Sequence, residues 1–240
     1  MTILSKIIIT FLITLAFAAQ SQSSYVAGVF PTLDHSGTLT PKLEYSLYYF
    51  AAFPLLNLKT PNVSKDPYFN LLYLEQALTY KLTDKFSVTG SYVYQRANVV
   101  YDNYVNENRF YVQAKYKYSV KKINLMHRLR FDGRFIHNRY TNETPFTHRL
   151  RYLIGMDTPI NETVYFTAYE ELFFNTFRNS GVIYGENWGY AALGKKLNKN
   201  TKIELGVLYI SWNIGNKNWF NQYYLQLTWI THFNFKKSKD

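Results

Sequence analysis

The chain runs to 240 residues with a formal net charge of +11, 18% charged and 19% aromatic residues, and 23 Tyr and 18 Phe against 4 Trp. The absence of cysteine excludes disulfides and thiolate metal sites. Its basic residues stand at alternate positions or in turns rather than in one run or on one helix, which sets nucleic acid aside as a partner.

Residues 1–18 read as a secretory signal peptide: Lys6 supplies the positive start, Ile7 to Leu15 the apolar stretch, and Ala16–Phe17–Ala18 a small-x-small cleavage site. That stretch falls short of the about 20 residues a bilayer helix needs. Residues 19–38 form an N-terminal segment in which Ser24–Phe30 fits an extra strand, one strand of a missed pair, or a periplasmic extension. From 39 to 235 one unit repeats: an alternating aromatic-rich run, a long polar loop, a second alternating run and a tight turn rich in Asn, Asp or Lys. Residues 236–240 form a polar tail.

Strands are predicted at about 40–51, 68–81, 86–96, 107–119, 123–135, 146–157, 163–174, 187–197, 202–212 and 221–235. Short connections at 82–85, 120–122, 158–162 and 198–201 alternate with longer ones at 54–67, 97–106, 137–144, 176–186 and 213–219. The expected fold is all-β, an antiparallel up-and-down transmembrane β-barrel of about ten strands, with eight or twelve open as alternatives. Short turns would face the periplasm, long loops the exterior, and an even strand number would put both chain ends in the periplasm.

The period of two supports this. Phe110, Val112, Ala114, Tyr116 and Tyr118 oppose Arg109, Tyr111, Gln113, Lys115 and Lys117, giving an apolar row for lipid and a wet row for the interior. In the last strand Tyr223, Leu225, Leu227, Trp229, Thr231 and Phe233 oppose Gln222, Gln226, Thr228 and His232. Arg128, Arg130, Asp132 and Arg134 share one face of their strand, and Arg149 and Arg151 one face of the next. A guanidinium facing lipid at the midplane costs about 2–4 kcal/mol, so these rows should point inward. With Glu44, Arg109, Glu171 and Glu204 they make up a lumen charge network, either a structural ion lattice or a site for an anionic solute. Glu170–Glu171 and Glu75–Gln76 break the alternation and call for a bulge, a membrane edge or another register.

Several pieces resemble a bacterial outer-membrane β-barrel family common in Bacteroidetes, domain of unknown function 2490. They are Glu107–Asn108–Arg109 with Gln113, His127–Arg128–Leu129–Arg130 with Asp132 and Arg134, Arg149–Leu150–Arg151–Tyr152, Tyr169–Glu170–Glu171–Leu172–Phe173–Phe174–Asn175, and Ile203–Glu204–Leu205–Gly206–Val207–Leu208–Tyr209. The resemblance implies a single-domain membrane barrel with no cofactor and no established activity. Asp132 stands where many members would carry glutamate.

Catalytic signals are thin. None of His35, His127, His137, His148 and His232 has a serine next but one on its face, and His137 with Asp132 is the nearest approach to an acid–base pair. No HExxH, phosphate loop, dinucleotide fingerprint or calcium loop is present, so no catalytic residue, metal or cofactor is expected. The reading is a structural or loop-displaying protein of a Gram-negative cell outer membrane with a largely filled lumen; the alternative is a small pore or transporter for small or anionic solutes, with an outer-membrane hydrolase ranked last. Its expected partners are outer-membrane lipid, the barrel-insertion machinery during assembly, and a small solute of unknown kind.

Overall fold

The computed structural model describes residues 23–57, 68–177, 181–215 and 218–234. The leader, Phe235 and the polar tail therefore lie outside the described residues. Eleven strands follow one another: β1 (Ser23–Thr38), β2 (Leu43–Asn57), β3 (Leu71–Lys81), β4 (Phe86–Ala97), β5 (Val105–Val120), β6 (Ile123–Asn138), β7 (Phe146–Pro159), β8 (Val164–Phe177), β9 (Gly181–Lys196), β10 (Thr201–Gly215) and β11 (Asn218–Asn234). They close as a barrel in sequence order, and no helix occurs among the described residues.

The short turns repeat because their chemistry repeats. In four of them the first residue's N–H donates to a carbonyl four residues on: Leu39 to Leu43, Leu82 to Phe86, Ile160 to Val164 and Leu197 to Thr201, all at 2.9–3.0 Å. A polar side chain at the second position accepts backbone N–H groups: Thr40 from Leu43, Thr83 from Phe86, Asn161 from Val164 and Asn198 from Asn200. The two-residue turn between β5 and β6 places Lys121 at φ 55°, the left-handed region that a tight hairpin requires.

The strand count departs from the expected even number. Ser24–Phe30 belongs to β1, which pairs antiparallel with β2 and parallel with β11, from Ser23↔Trp219 to Thr38↔Asn234. β1 thus starts at the long-loop end where β11 also starts, and the barrel strand ends lie at opposite mouths rather than together. Its alternation was obscured by small residues. Val26, Phe30 and Thr32 are buried on one face, while Gly28 adds no side chain to that row. Pro31 lacks an N–H, and neither it nor Phe30 has a Cα partner on β2. Two connections expected to be long also contract, since β8 reaches Phe177 before β9 begins at Gly181 and β10 reaches Gly215 before β11 begins at Asn218.

Alternation holds around the wall. Val112, Phe110, Leu193 and Leu225 on the outside are 53–64% exposed, whereas Arg109, Glu107, Asp132 and Glu171 on the inside are at most 2% exposed. Both doubtful pairs resolve without a local bulge: Glu75 points in and Gln76 out, Glu171 in and Glu170 out. Glu170 accepts a hydrogen bond from Asn187 Nδ2 on β9 at 2.9 Å, which provides it with a polar neighbour.

The β1–β2 seam bulges at Ala27/Gly28, where a Cβ on Gly28 would meet the Phe53 carbonyl. Gly90 points outward into open space. Gly28→Val should therefore lower unfolding free energy by about 1–3 kcal/mol through overpacking, and Gly90→Val should leave it within about 0.5 kcal/mol. Urea titrations followed by far-ultraviolet circular dichroism would compare the two.

Candidate functional site

The interior divides into a charged half and an aromatic half. Strands β5 to β8 carry the first. Glu107 accepts from Arg109 Nε at 2.6 Å along its own strand, and from Arg134 Nε and Nη2 at 2.7 and 2.8 Å across the ladder. Glu171 takes a two-pronged bond from Arg151, 2.7 Å on each oxygen, and a third from Arg128 Nη2 at 2.6 Å. Asp132 accepts from Arg149 Nε at 3.0 Å and lies 3.9 Å from Arg151 Nη1. Arg130 Nε donates to Gln113 Oε1, and its Nη1 comes within 3.5 Å of Glu75 on β3. Planar forks matching planar carboxylates allow charges this deep, provided each remaining donor also finds a partner.

The aromatic half fills the space that remains. Phe50 stacks between Phe30 and Tyr73 at centroid separations of 4.5 and 4.4 Å. From across the barrel Trp188 meets Phe30 at 6.2 Å and Phe50 at 6.0 Å, and on the neighbouring strand it packs against Phe173 at 5.7 Å. Guanidinium groups lie over rings of their own half, Arg130 over Tyr111 at 3.7 Å, Arg151 over Phe173 at 4.3 Å and Arg149 over the same ring at 4.9 Å, and Arg109 over Tyr73 at 5.7 Å joins the two halves. Tyr73 and Tyr111 both donate to Glu75, at 2.5 and 2.6 Å.

Eight of the residues expected in the charge network meet here: Arg109, Arg128, Arg130, Asp132, Arg134, Arg149, Arg151 and Glu171. Glu44 and Glu204 do not join them. Glu44 pairs with Lys81 at 2.5 Å, and Glu204 accepts from the hydroxyls of Tyr165 and Tyr190. Both lie near the short-turn ends of their strands, below the reach of the arginine forks. Glu75, Glu107 and Glu186 were missed as arginine partners, although Glu107 stands two residues before Arg109 and so on its face. Glu186 binds Arg149 Nη1 at 3.4 Å and also accepts from Trp188 Nε1. The inward aromatics were missed as well, because bulk had been assigned to the outer wall.

No hydrolytic centre assembles from the pair suggested by the sequence. His137 is an outward residue bonded to Thr144, while Asp132 is fully buried inside. The parallel seam does bring a serine to a histidine: Ser36 Oγ lies 3.0 Å from His232 Nδ1. The other ring nitrogen faces the Thr38 hydroxyl at 3.3 Å rather than a carboxylate, so the group that would stabilise an imidazolium is missing from this pair. His127, on the outer wall, is held between Tyr152 and Tyr118.

A cavity of about 1190 Å³ remains inside, with a lining that reaches from Thr83 and Lys85 at the short-turn mouth to Tyr68 and Asn98 at the other. The class defined by this geometry is a closed β-barrel with an apolar outer wall and a charged interior. The family model described as protein of unknown function (DUF2490) matches residues 56–234, and the chain belongs to that family. Among curated proteins none matches this sequence closely enough to count as a relative.

Removing the charge of Glu171 strands two guanidinium groups. Glu171→Gln should destabilise the barrel by about 3–5 kcal/mol, whereas Glu44→Gln, which breaks a half-exposed pair with Lys81, should cost at most about 1 kcal/mol. Equilibrium unfolding in urea separates the two.

Proposed function

We propose that this protein is an outer-membrane β-barrel of a Gram-negative bacterium, a structural and loop-displaying element of the envelope whose interior is largely filled. The observation that carries this reading is the inversion of polarity across the wall. Leu, Val, Phe, Tyr and Trp side chains stand exposed on strand after strand, from Leu78 and Val88 through Val112 and Phe131 to Val207 and Trp229. Water-soluble monomers rarely expose contiguous apolar patches above a few hundred Å². A closed ladder leaves no strand edge unpaired, as a hydrocarbon environment demands. Lipid around the wall and the cell's barrel-insertion machinery are the partners this reading requires.

The filled interior supports a structural role over a channel. The Phe30–Phe50–Trp188–Phe173 contacts cross the lumen, and the arginine forks occupy much of what is left. The continuous lining of the cavity from mouth to mouth favours the second reading, a narrow pore for small or anionic solutes. Planar-bilayer recordings decide between them. Wild-type protein should give no resolvable current steps, and Phe50→Ala/Trp188→Ala should open them; steps from the wild type would select the pore.

Location and sidedness can be read from the same molecule, since it has no native cysteine. With short turns in the periplasm, Tyr101→Cys should react with a membrane-impermeant maleimide on intact cells. Lys121→Cys should react only after lysis. Labelling of neither in the outer-membrane fraction, or recovery of the protein as a soluble monomer without detergent, would overturn the proposal.

A further inference from the structure

We infer that the short-turn mouth of the lumen holds a binding site for a small solute bearing a phosphate or carboxylate group, built on Lys115, Lys117 and Arg128. The site depends on interior geometry alone and stands whether or not the barrel conducts.

Three observations carry it. First, the register places Lys115 directly opposite Arg128, with Lys117 two residues along the same inward row. Like charges directly opposite one another destabilise a ladder unless an anion lies between them. Second, the protein does not supply that anion in full. Arg128 gives one Nη2 bond to Glu171, a carboxylate already gripped on both oxygens by Arg151, while its buried Nε has no hydrogen-bond partner. Among the described residues neither Lys115 nor Lys117 has a carboxylate oxygen within 4.0 Å, although both line the cavity. Third, every lysine among the described residues, from Lys42 to Lys202, lies in a short turn or on the short-turn half of its strand. Among the described residues the lysine charge that draws anions inward is therefore at that mouth.

The carboxylates facing the vestibule refine the ligand. Glu44 is committed to Lys81. Asp34 reaches in from β1 without an ion pair, and Lys115 is its strongest cationic neighbour. An acceptor opposite two ammonium groups suits a solute whose anionic end is accompanied by a hydroxyl or amine. Lysine ammonium groups act as point charges that bind phosphate without demanding a planar fork. The wall of the barrel separates the site from the surrounding lipid, so the ligand enters from water at the mouth.

Calorimetric titration of the full chain in maltoside micelles at low ionic strength tests this, with inorganic phosphate as the probe. Saturable binding is expected, weakened at least about tenfold by Lys115→Gln/Lys117→Gln and less than about twofold by Lys85→Gln/Lys121→Gln, which removes equal charge from the turns. Among the described residues neither vestibule lysine lies within ion-pair distance of a carboxylate, but both are cationic neighbours of Asp34. The triple variant Asp34→Asn/Lys115→Gln/Lys117→Gln should therefore melt no lower than wild type. Absence of saturable binding, equal loss in both double variants, or a lowered melting temperature for the triple variant would overturn the site. So would displacement of phosphate by phosphatidylglycerol added to the micelles, which would make the headgroup of a lipid the true ligand.

Discussion

Glu107, Asp132 and Glu171 each lie between two guanidinium groups inside a closed cylinder, and much of the architecture follows from keeping them there. Removing a carboxylate and an arginine from water costs several kcal/mol per ion, and only close geometry with further hydrogen bonds recovers it. Here the geometry comes from the ladder itself. Register sets Arg109 opposite Arg134 and Arg130 opposite Arg151, so like charges face each other across strands. Glu107 sits one pleat away and bridges the Arg109–Arg134 pair, Glu171 reaches Arg151 on the next strand and Arg128 one strand beyond, and Asp132 stands directly opposite Arg149 and near Arg151. Arginines that face each other are thus held by shared or neighbouring carboxylates, Arg149 by the one directly opposite it, and a one-residue slip would turn the whole set outward.

This arrangement explains why the interior needs an aromatic half. The charged strands β5 to β8 occupy one arc of the barrel, and their long side chains extend toward the opposite arc. Had that arc been polar, water would compete for every fork. Phe30, Phe50, Tyr73 and Tyr224 instead offer a low-dielectric surface on which ring faces and tyrosine hydroxyls complete the remaining contacts. The exposed apolar wall is the counterpart of the same choice: with charge and rings consuming the inside, the outward rows carry the hydrophobic surface.

Fold class was legible because a period of two survives in every strand whose faces differ in polarity, as β5 and β11 show. The positions of ten strands follow from it, with the largest boundary errors at the end of β2 and the start of β9, which extend further toward the long-loop mouth than expected. β1 was open as an extra strand but not settled, because Ala27, Gly28 and Pro31 leave too little contrast between its faces, and its parallel pairing with β11 has no local signature in a chain of hairpins. In the interior, arginine rows were visible since burying them in a wall of hydrocarbon would be costly. Their partners were less so. Glu204 looks like a partner from its charge alone, but an axial offset along the strand places it among tyrosines. The inward rings were hidden for a different reason: an aromatic side chain fits either face of a barrel, and only the opposite arc decides which.

The separation of arginine from lysine along the axis adds a functional asymmetry to this plan. A guanidinium is weakly hydrated and can leave water when forks are available; an ammonium is a compact, strongly hydrated charge that stays near it. Arg109, Arg130, Arg149 and Arg151 are accordingly buried in the interior network, while the lysines among the described residues gather toward one mouth. The interior is then dry where ions are paired and wet where they are not. A barrel meant only to be solid would have no need for inward lysines five residues deep. Lys115 stands that far from the end of β5, beside Arg128, and a cation held there with no carboxylate of the described residues in ion-pair distance implies water or a mobile anion as its normal company.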